Sequence, residues 1–352
     1  MDVVGVGALN LDLIAGASAL RGTPVLELIT RKAGISPPLE PCTERLVDES
    51  TVRTALDCLD GTEVMPFLGG SAFNTLHALA RTGLGLRLGY VSVAGRTPMP
   101  EVEPEAVLDG LGIDRRMVRA DAARLSGICL SVYEGGERTL LTHTGANTGI
   151  ADHLRDRFEE LVSYLGAAKV VHVTSFLDPD GGRELHRLLA EVRRRTPGTA
   201  VSFDPGHAWS TDPSPAILAI AALSDYLLLN GREYTDLVSR APGGRATAVV
   251  KYPDRVEVLR PGAVPEVHTH RPLQDDEVED ATGAGDVLAA GLLAGLAGGG
   301  PDRVGEGVRL GMALARHKLR HIGSQGHDLF AEITRGQQAR GDERHTIPPF
   351  EM

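Results

Sequence analysis

Lysine is nearly absent from this chain: Lys32, Lys169, Lys251 and Lys318 are the only four in 352 residues, and the 47 acidic residues outnumber the 36 lysines and arginines together. The net charge of -11 leaves no basic face able to dominate, so nucleic acid is not an expected partner. Aromatic residues are scarce at 4 %, leaving few rings to stack on a nucleobase, although one or two suffice. The three cysteines, Cys42, Cys58 and Cys129, are odd in number and lack Cys-x-x-Cys spacing. Neither a disulfide framework nor a structural zinc follows, and the expected compartment is reducing. No run of about 18 apolar residues occurs, and Met1-Asp2-Val3-Val4-Gly5 has neither a basic nor a long apolar leader character. A cytoplasmic protein with no membrane partner is the expectation.

Several catalytic patterns are missing as well. There is no Walker A sequence and no Gly-x-Ser-x-Gly elbow. Gly5-Val6-Gly7-Ala8-Leu9-Asn10 half imitates a dinucleotide fingerprint, but Asn stands in place of the last glycine and Leu11-Asp12-Leu13-Ile14 continues as a strand. His317 and His321 share a helix face but have neither the glutamate nor the third ligand of a zinc site. Packed or solvated histidines explain them better.

What is present is an alternation of short apolar strands and helices. Residues 3 to 15 read as one strand. The segment from 17 to 63 is irregular and proline-containing, with a candidate strand at Val25–Ile29 and a short helix over Ser50–Leu59 opened by Asp48 or Ser50. Helix Ala72–Arg81, strand Leu86–Ala94 and helix Pro104–Leu111 follow. Ile128–Tyr133 and Arg138–His143 flank Glu134-Gly135-Gly136-Glu137 as a hairpin. Next come helix Asp152–Leu165, strand Val170–Val173, helix Gly182–Arg195, strand Ala200–Phe203, helix Pro215–Ala222 and strand Tyr226–Leu229. Apolar strands without alternation are buried on both faces, so the expected fold is α/β: a three-layer α/β/α sandwich with a mostly parallel central sheet. Ligands in such sheets bind at the carboxyl ends of the strands, where Asp204, Asn230 and the Gly283 loop would lie.

The densest chemistry is in Asp280-Ala281-Thr282-Gly283-Ala284-Gly285-Asp286, which runs straight into Val287-Leu288-Ala289-Ala290-Gly291-Leu292-Leu293. Gly283 and Gly285 permit a tight turn with converging N–H groups, and the following helix adds the positive end of its dipole. That is an anion cradle suited to phosphate, and Asp286 in the first helical turn could deprotonate a hydroxyl brought to it. The plainer reading of Asp286 is a capping residue after a glycine loop. Gly69 and Gly70 precede a helix that carries Asn74, allowing close backbone approach to a ligand and one bifunctional amide a turn later. A simple turn with a solvated Asn74 is the alternative. Asn10 and Asp12 lie two apart and share one strand face, where a polyhydroxylated ligand would satisfy them, unless Asp12 ends the strand and faces water.

Together these motifs resemble the ribokinase-like (PfkB) carbohydrate and nucleoside kinase family. Asp280, Gly283, Ala284, Gly285 and Asp286 fill the five fixed positions of its C-terminal signature, and Leu68–Gly83 is similar to its N-terminal Gly-Gly-polar-x-x-Asn signature. The resemblance runs from about residue 3 to residue 325 and includes Gly145-Ala146-Asn147 and Asn230-Gly231-Arg232-Glu233. It implies one kinase domain over residues 1–335 with a small β-rich lid from about 12–68 and 124–145, followed by a polar tail at 336–352. It further implies Asp286 as catalytic base with the Gly283, Ala284 and Gly285 amides as anion hole. Asn10, Asp12, Gly69, Gly70 and Asn74 would bind the acceptor. Asn230, Glu233, Thr282 and Lys251 would bind nucleotide and phosphate.

ATP and Mg²⁺ are the implied cofactors, the metal held by Asn230 and Glu233 largely through water. A capping arrangement of that pair is equally open, and both can hold together. The resemblance allows a monovalent cation near Asp280, a homodimer through the lid, and an adenine wall on the helix Gly307–Leu319 with Gly311, Ala313 and Ala315. One departure stands out. Where relatives carry a Thr-x-Gly-x-x-Gly loop beside the ribose, this chain has Val250-Lys251-Tyr252-Pro253-Asp254-Arg255, which bears on the choice of phosphate donor unless Lys251 compensates. The expected activity is ATP-dependent phosphorylation of a hydroxymethyl group on a sugar or sugar-like acceptor, or else of a nucleoside as in adenosine-type kinases. A non-catalytic sugar-binding protein of the same fold would have no need of Asp286.

Overall fold

The computed structural model describes residues 1–15, 32, 44–58, 64–99, 101–134, 137–176, 178, 180–240, 244–300 and 302–345. Fourteen strands lie among them: β1 Val3–Val6, β2 Asn10–Ala15, β3 Glu44–Leu46, β4 Val64–Gly69, β5 Leu88–Arg96, β6 Ile113–Leu125, β7 Gly127–Glu134, β8 Glu137–His143, β9 Val170–Thr174, β10 Ala200–Asp204, β11 Tyr226–Asn230, β12 Thr247–Lys251, β13 Arg255–Leu259 and β14 Glu266–Thr269. The α-helices are α1 Glu49–Cys58, α2 Ser71–Arg81, α3 Pro104–Gly110, α4 Ile150–Asp156, α5 Phe158–Gly166, α6 Gly181–Arg195, α7 Gly206–Thr211, α8 Pro215–Leu223, α9 Gly231–Arg240, α10 Ala284–Gly298, α11 Arg303–Lys318 and α12 Phe330–His345.

Nine strands form the central sheet in the order β14-β13-β12-β11-β10-β9-β1-β5-β6, parallel throughout except for the two antiparallel pairings at the β12-β13-β14 edge. Alternation along each strand sends side chains to opposite faces. Val3 joins a core with α2, α10 and α11, whereas Val4 and Val6 join a second core with α4, α5 and α6. Full burial of one such valine stabilises the fold by about 1.5–3 kcal/mol, which is why β1 can be four buried residues with no polar face. The three-layer sandwich expected from the apolar strands is therefore the observed architecture.

A second, five-stranded sheet has the order β3-β8-β7-β2-β4. Its strands come from the chain between β1 and α2 and from the hairpin after β6, and that hairpin, β7-β8, lies where expected.

Some expectations need correction. Residues 3–15 are two strands in two different sheets, because Gly7–Leu9 is pinned as a crossover. Ser92 donates to the Gly7 carbonyl, Tyr90 to the Ala8 carbonyl, and the Leu9 N–H donates to Asn147. The single helix expected over 152–165 is broken at Arg157 into α4 and α5. The long strand β6 and the short α7 were not foreseen. The helix near residue 50 is α1, with the Asp48 carboxylate capping the Thr51 N–H at 2.7 Å. The expected tail boundary at 335 falls inside α12, which continues to His345. The candidate strand Val25–Ile29 lies outside the described residues.

Candidate active site

The carboxyl ends of three neighbouring parallel strands, β10, β11 and β12, end in Asp204, Asn230 and Lys251. The α10 N-terminus faces them. Gly283 caps that helix with φ 75°, a left-handed conformation that glycine adopts without strain. Lys251 Nζ lies 2.9 Å from Asp204 Oδ2, and a Cβ on Gly285 would sit 3.3 Å from the same ammonium. Lys251 thus reaches the cradle turn from the carboxyl end of β12. Burial alone would lower its pKa, but the charge and hydrogen bond of Asp204 outweigh that and raise it.

Asp286 is enclosed by protein while keeping some access to the cleft. Burial, reinforced by the negative charge of Asp204, pushes its carboxyl up to about 7; the Asn74 amide, donating to Oδ2 at 3.1 Å, opposes the rise. Asp12 adds to the same upward push, so it lies within electrostatic reach. A narrow cavity of about 30 Å³ is lined by Asp12, Phe67, Asn74, Thr282, Gly283 and Lys318, among others. Motifs more than 200 residues apart in sequence are thereby brought to one place.

The glycines of the N-terminal motif have specific reasons. A Cβ on Gly69 would fall 2.0 Å from Asp12 Oδ2, so this position must be bare for the carboxylate to lie against the strand. Gly70 has φ 103°, and a Cβ there would meet the Ala8 carbonyl oxygen at 2.1 Å. Asn10 is oriented by Asn147, whose Nδ2 donates to Asn10 Oδ1 at 2.7 Å. Asn147 is 4 % exposed, a positioning group within the Gly145-Ala146-Asn147 turn.

Asn230 and Glu233 form the reciprocal cap: the Asn230 N–H donates to Glu233 Oε2 at 2.8 Å and the Glu233 N–H to Asn230 Oδ1 at 2.9 Å. Burial and then the charge of Asp204 raise the Glu233 pKa. A buried glutamate whose proton affinity is raised by a neighbouring carboxylate offers hard oxygen donors that a divalent cation would neutralise, so the residues present fit Mg²⁺. Among the described residues no group of three or more acidic, cysteine or histidine side chains could enclose a metal alone.

Elsewhere the structure redirects expectations. The Asp280 carboxylate, a candidate ligand for a free monovalent cation, is engaged by Lys318 Nζ at 2.8 Å. Gly311 leaves no room for a base: a Cβ there would lie 2.4 Å from the Leu288 carbonyl oxygen, so the glycine serves the close crossing of α10 and α11. Tyr252 packs over Gly231 at the start of α9, with the Arg255 guanidinium 4.1 Å from its ring centroid. His317 and His321 are spent on packing and backbone contacts, His317 Nε2 at 3.1 Å from the Gly326 oxygen.

Three residues at the site, Asp204, Lys318 and His327, carry no sequence motif. Asp204 was noticed only for its place at a strand end. His327, which lines the cavity, is 5 % exposed, and neither of its ring nitrogens has a hydrogen-bond partner among the described residues; burial holds its pKa down at about 3. Nothing in its sequence neighbourhood marks it.

An open, mostly parallel sheet whose strand ends face a glycine-capped helix, with an enclosed carboxylate in that helix's first turn, is an α/β sandwich architecture suited to binding and group transfer at the strand ends. The model of the pfkB family carbohydrate kinases matches residues 53–259, more than half of the chain, so this protein belongs to that family. Its members are phosphotransferases acting on hydroxyl groups. No curated protein matches the sequence at a significant level. Solved structures with the same fold include a probable sugar kinase from Rhizobium etli (19 % identity, TM-score 0.74, covering 96 % of this chain and 98 % of that one). Another is adenosine kinase from Schistosoma mansoni in complex with 2-fluoroadenosine (15 %, 0.73, 91 % and 96 %). A third is ribokinase from Giardia lamblia (15 %, 0.69, 97 % and 99 %). No helix among the described residues is long and apolar enough to cross a membrane.

Proposed function

We propose that this enzyme transfers the γ-phosphoryl group of ATP to a hydroxymethyl group of a sugar or sugar-like acceptor. The observation that carries the reading is the hydrogen bond to Asp286 from Asn74, a residue that lines one cavity together with Asp12. An acceptor held by Asp12, Asn10 and Asn74 presents its hydroxyl beside the one carboxylate that follows the anion turn. As the hydroxyl oxygen bonds to the γ-phosphorus and the bond to the ADP oxygen breaks, Asp286 takes the hydroxyl proton. A carboxyl raised to about 7 is a stronger base than an ordinary carboxylate and is matched to that role near neutral pH. The amides at Gly283, Ala284 and Gly285 receive the charge on the transferring group; donors of this kind are worth about 3–4 kcal/mol each to the barrier. Lys251 neutralises phosphate charge at the same turn. Magnesium, when bound near Glu233, Asn230 and Asp204, supplies charge neutralisation on the nucleotide phosphates.

The second sheet acts as the lid, excluding water so that ATP is not hydrolysed wastefully. Residues 1–335 and the helical continuation to His345 work as one kinase unit. A nucleoside acceptor is the second reading, favoured by the Phe67 ring in the cavity wall, which could stack on a base. Coupling ADP release to a panel of pentoses, hexoses and nucleosides tests both. Turnover with a free sugar supports the first, turnover confined to nucleosides supports the second, and no acceptor-dependent ADP release from a folded, ATP-binding protein refutes both.

A further inference from the structure

The last residue of α11 is driven into the interior. Lys318 is 2 % exposed, in a chain with only four lysines. A buried ammonium persists only when oxygen acceptors replace its water. Three do so here: Asp280 Oδ2 at 2.8 Å, the Asp280 carbonyl oxygen at 2.8 Å and the His321 carbonyl oxygen at 3.1 Å. Asp280, itself 3 % exposed, also accepts from the Thr282 N–H through Oδ1 at 2.8 Å and from the Gly323 N–H through Oδ2 at 3.0 Å. One ion pair therefore joins the end of α11, the turn 319–323 and the turn that leads into Gly283. Lys318, Thr282, Gly283 and Gly323 line the cavity that also holds Asp12 and Asn74.

A carboxylate and two carbonyl oxygens around one positive charge are hard oxygen donors of the kind that would equally hold an alkali or ammonium ion. Here the charge arrives on a covalent stem. We propose that Lys318 is a positioning residue: a tethered cation that holds Asp280, and through Asp280 the Thr282–Gly283 turn, in place of a free monovalent ion. Catalysis then needs no added potassium. The catalytic half of this inference rests on the phosphotransferase reading above; the cation half does not.

The test replaces KCl by tetramethylammonium chloride, an ion too large for the site, at constant ionic strength. ADP formation and melting temperature are followed in parallel for the wild type, Lys318→Ala and Lys318→Met. Wild-type kcat and melting temperature are expected to be the same in both salts. In tetramethylammonium, Lys318→Ala loses about 10-fold or more in kcat while acceptor KM changes by less than about 3-fold, as expected when a transition-state donor array is loosened. Potassium, ammonium or methylammonium chloride restores part of that kcat and raises the variant's melting temperature, because an ion bound only by the folded state stabilises it. Lys318→Met, whose side chain fills the space, shows the loss without the rescue. A wild type stimulated about 10-fold by potassium overturns the proposal. So does a Lys318→Ala variant that is as active as wild type without small cations, or one whose melting temperature and kcat ignore them. If no acceptor is phosphorylated at all, the melting comparison still decides the cation question. If the variants do not fold, the wild-type salt exchange decides it.

Discussion

Replacing Asp286 by Asn should stabilise this enzyme while disabling it. The carboxyl is raised from 3.8 to about 7, first by burial and second by the charge of Asp204. An acid whose folded pKa lies above its unfolded value binds its proton more tightly when folded. Its contribution to stability is therefore favourable at low pH and is lost as pH rises from about 4 towards 7. Roughly three pKa units at about 1.4 kcal/mol each set an upper limit of about 4 kcal/mol on the cost of holding this group ionised above pH 7. Asp286 keeps some access to the cleft, and relaxation of its surroundings lowers the cost further, so about 1–3 kcal/mol is the working figure. An asparagine carbonyl can still accept from Asn74, so the 3.1 Å contact need not be lost.

Urea denaturation at about pH 8 should then show Asp286→Asn more stable than wild type, with the gap closing as pH approaches about 4. The same variant should lose at least about 10²-fold in kcat with acceptor KM little changed, and the wild-type kcat should rise with pH around an apparent pKa near 7. A variant that is less stable than wild type at about pH 8 by as much as at about pH 5 would refute the electrostatic argument. Near-normal turnover would remove Asp286 from the role of base.

Other substitutions probe the geometry around it. Gly69→Ala places a methyl 2.0 Å from Asp12 Oδ2, so the carboxylate must swing away: acceptor KM should rise about 10-fold or more, with a stability loss of about 1–3 kcal/mol in chemical denaturation. Lys251→Met removes the partner of Asp204 and the cation beside Gly285; ATP KM should rise about 10-fold in steady-state assays, and unchanged nucleotide affinity would exclude Lys251 from phosphate binding. Gly311→Ala drives a methyl into the Leu288 backbone at 2.4 Å. The urea midpoint should fall by the equivalent of about 1–3 kcal/mol despite alanine's better helix propensity, while kcat per folded molecule is retained.

Much of the architecture was legible because parallel strands buried on both faces have a strong local signature. Val170–Thr174, Ala200–Asp204 and Tyr226–Asn230 are short, mostly apolar runs ended by a polar residue, and each is a strand within a residue of its expected limits. The breaks at Gly7–Leu9 and at Arg157 were not legible. The first depends on hydrogen bonds from Tyr90, Ser92 and the Leu9 N–H that cross from one part of the chain to another. At the site, Asp286, Asn74 and Asp12 each carried a motif. Asp204, Lys318 and His327 did not, because their roles follow from what lies opposite them.

The order of residues along the chain by itself determined the alternating elements, the glycine turn before α10 and the carboxylate after it, since these depend on backbone freedom and periodicity within a few positions. Only the tertiary structure decided that Asp286 would be raised towards neutrality, that Gly311 would serve a helix crossing, and that the cation at Asp280 would be a lysine. Burial, electric field and steric closeness depend on groups brought together from distant parts of the chain, and no local pattern encodes them.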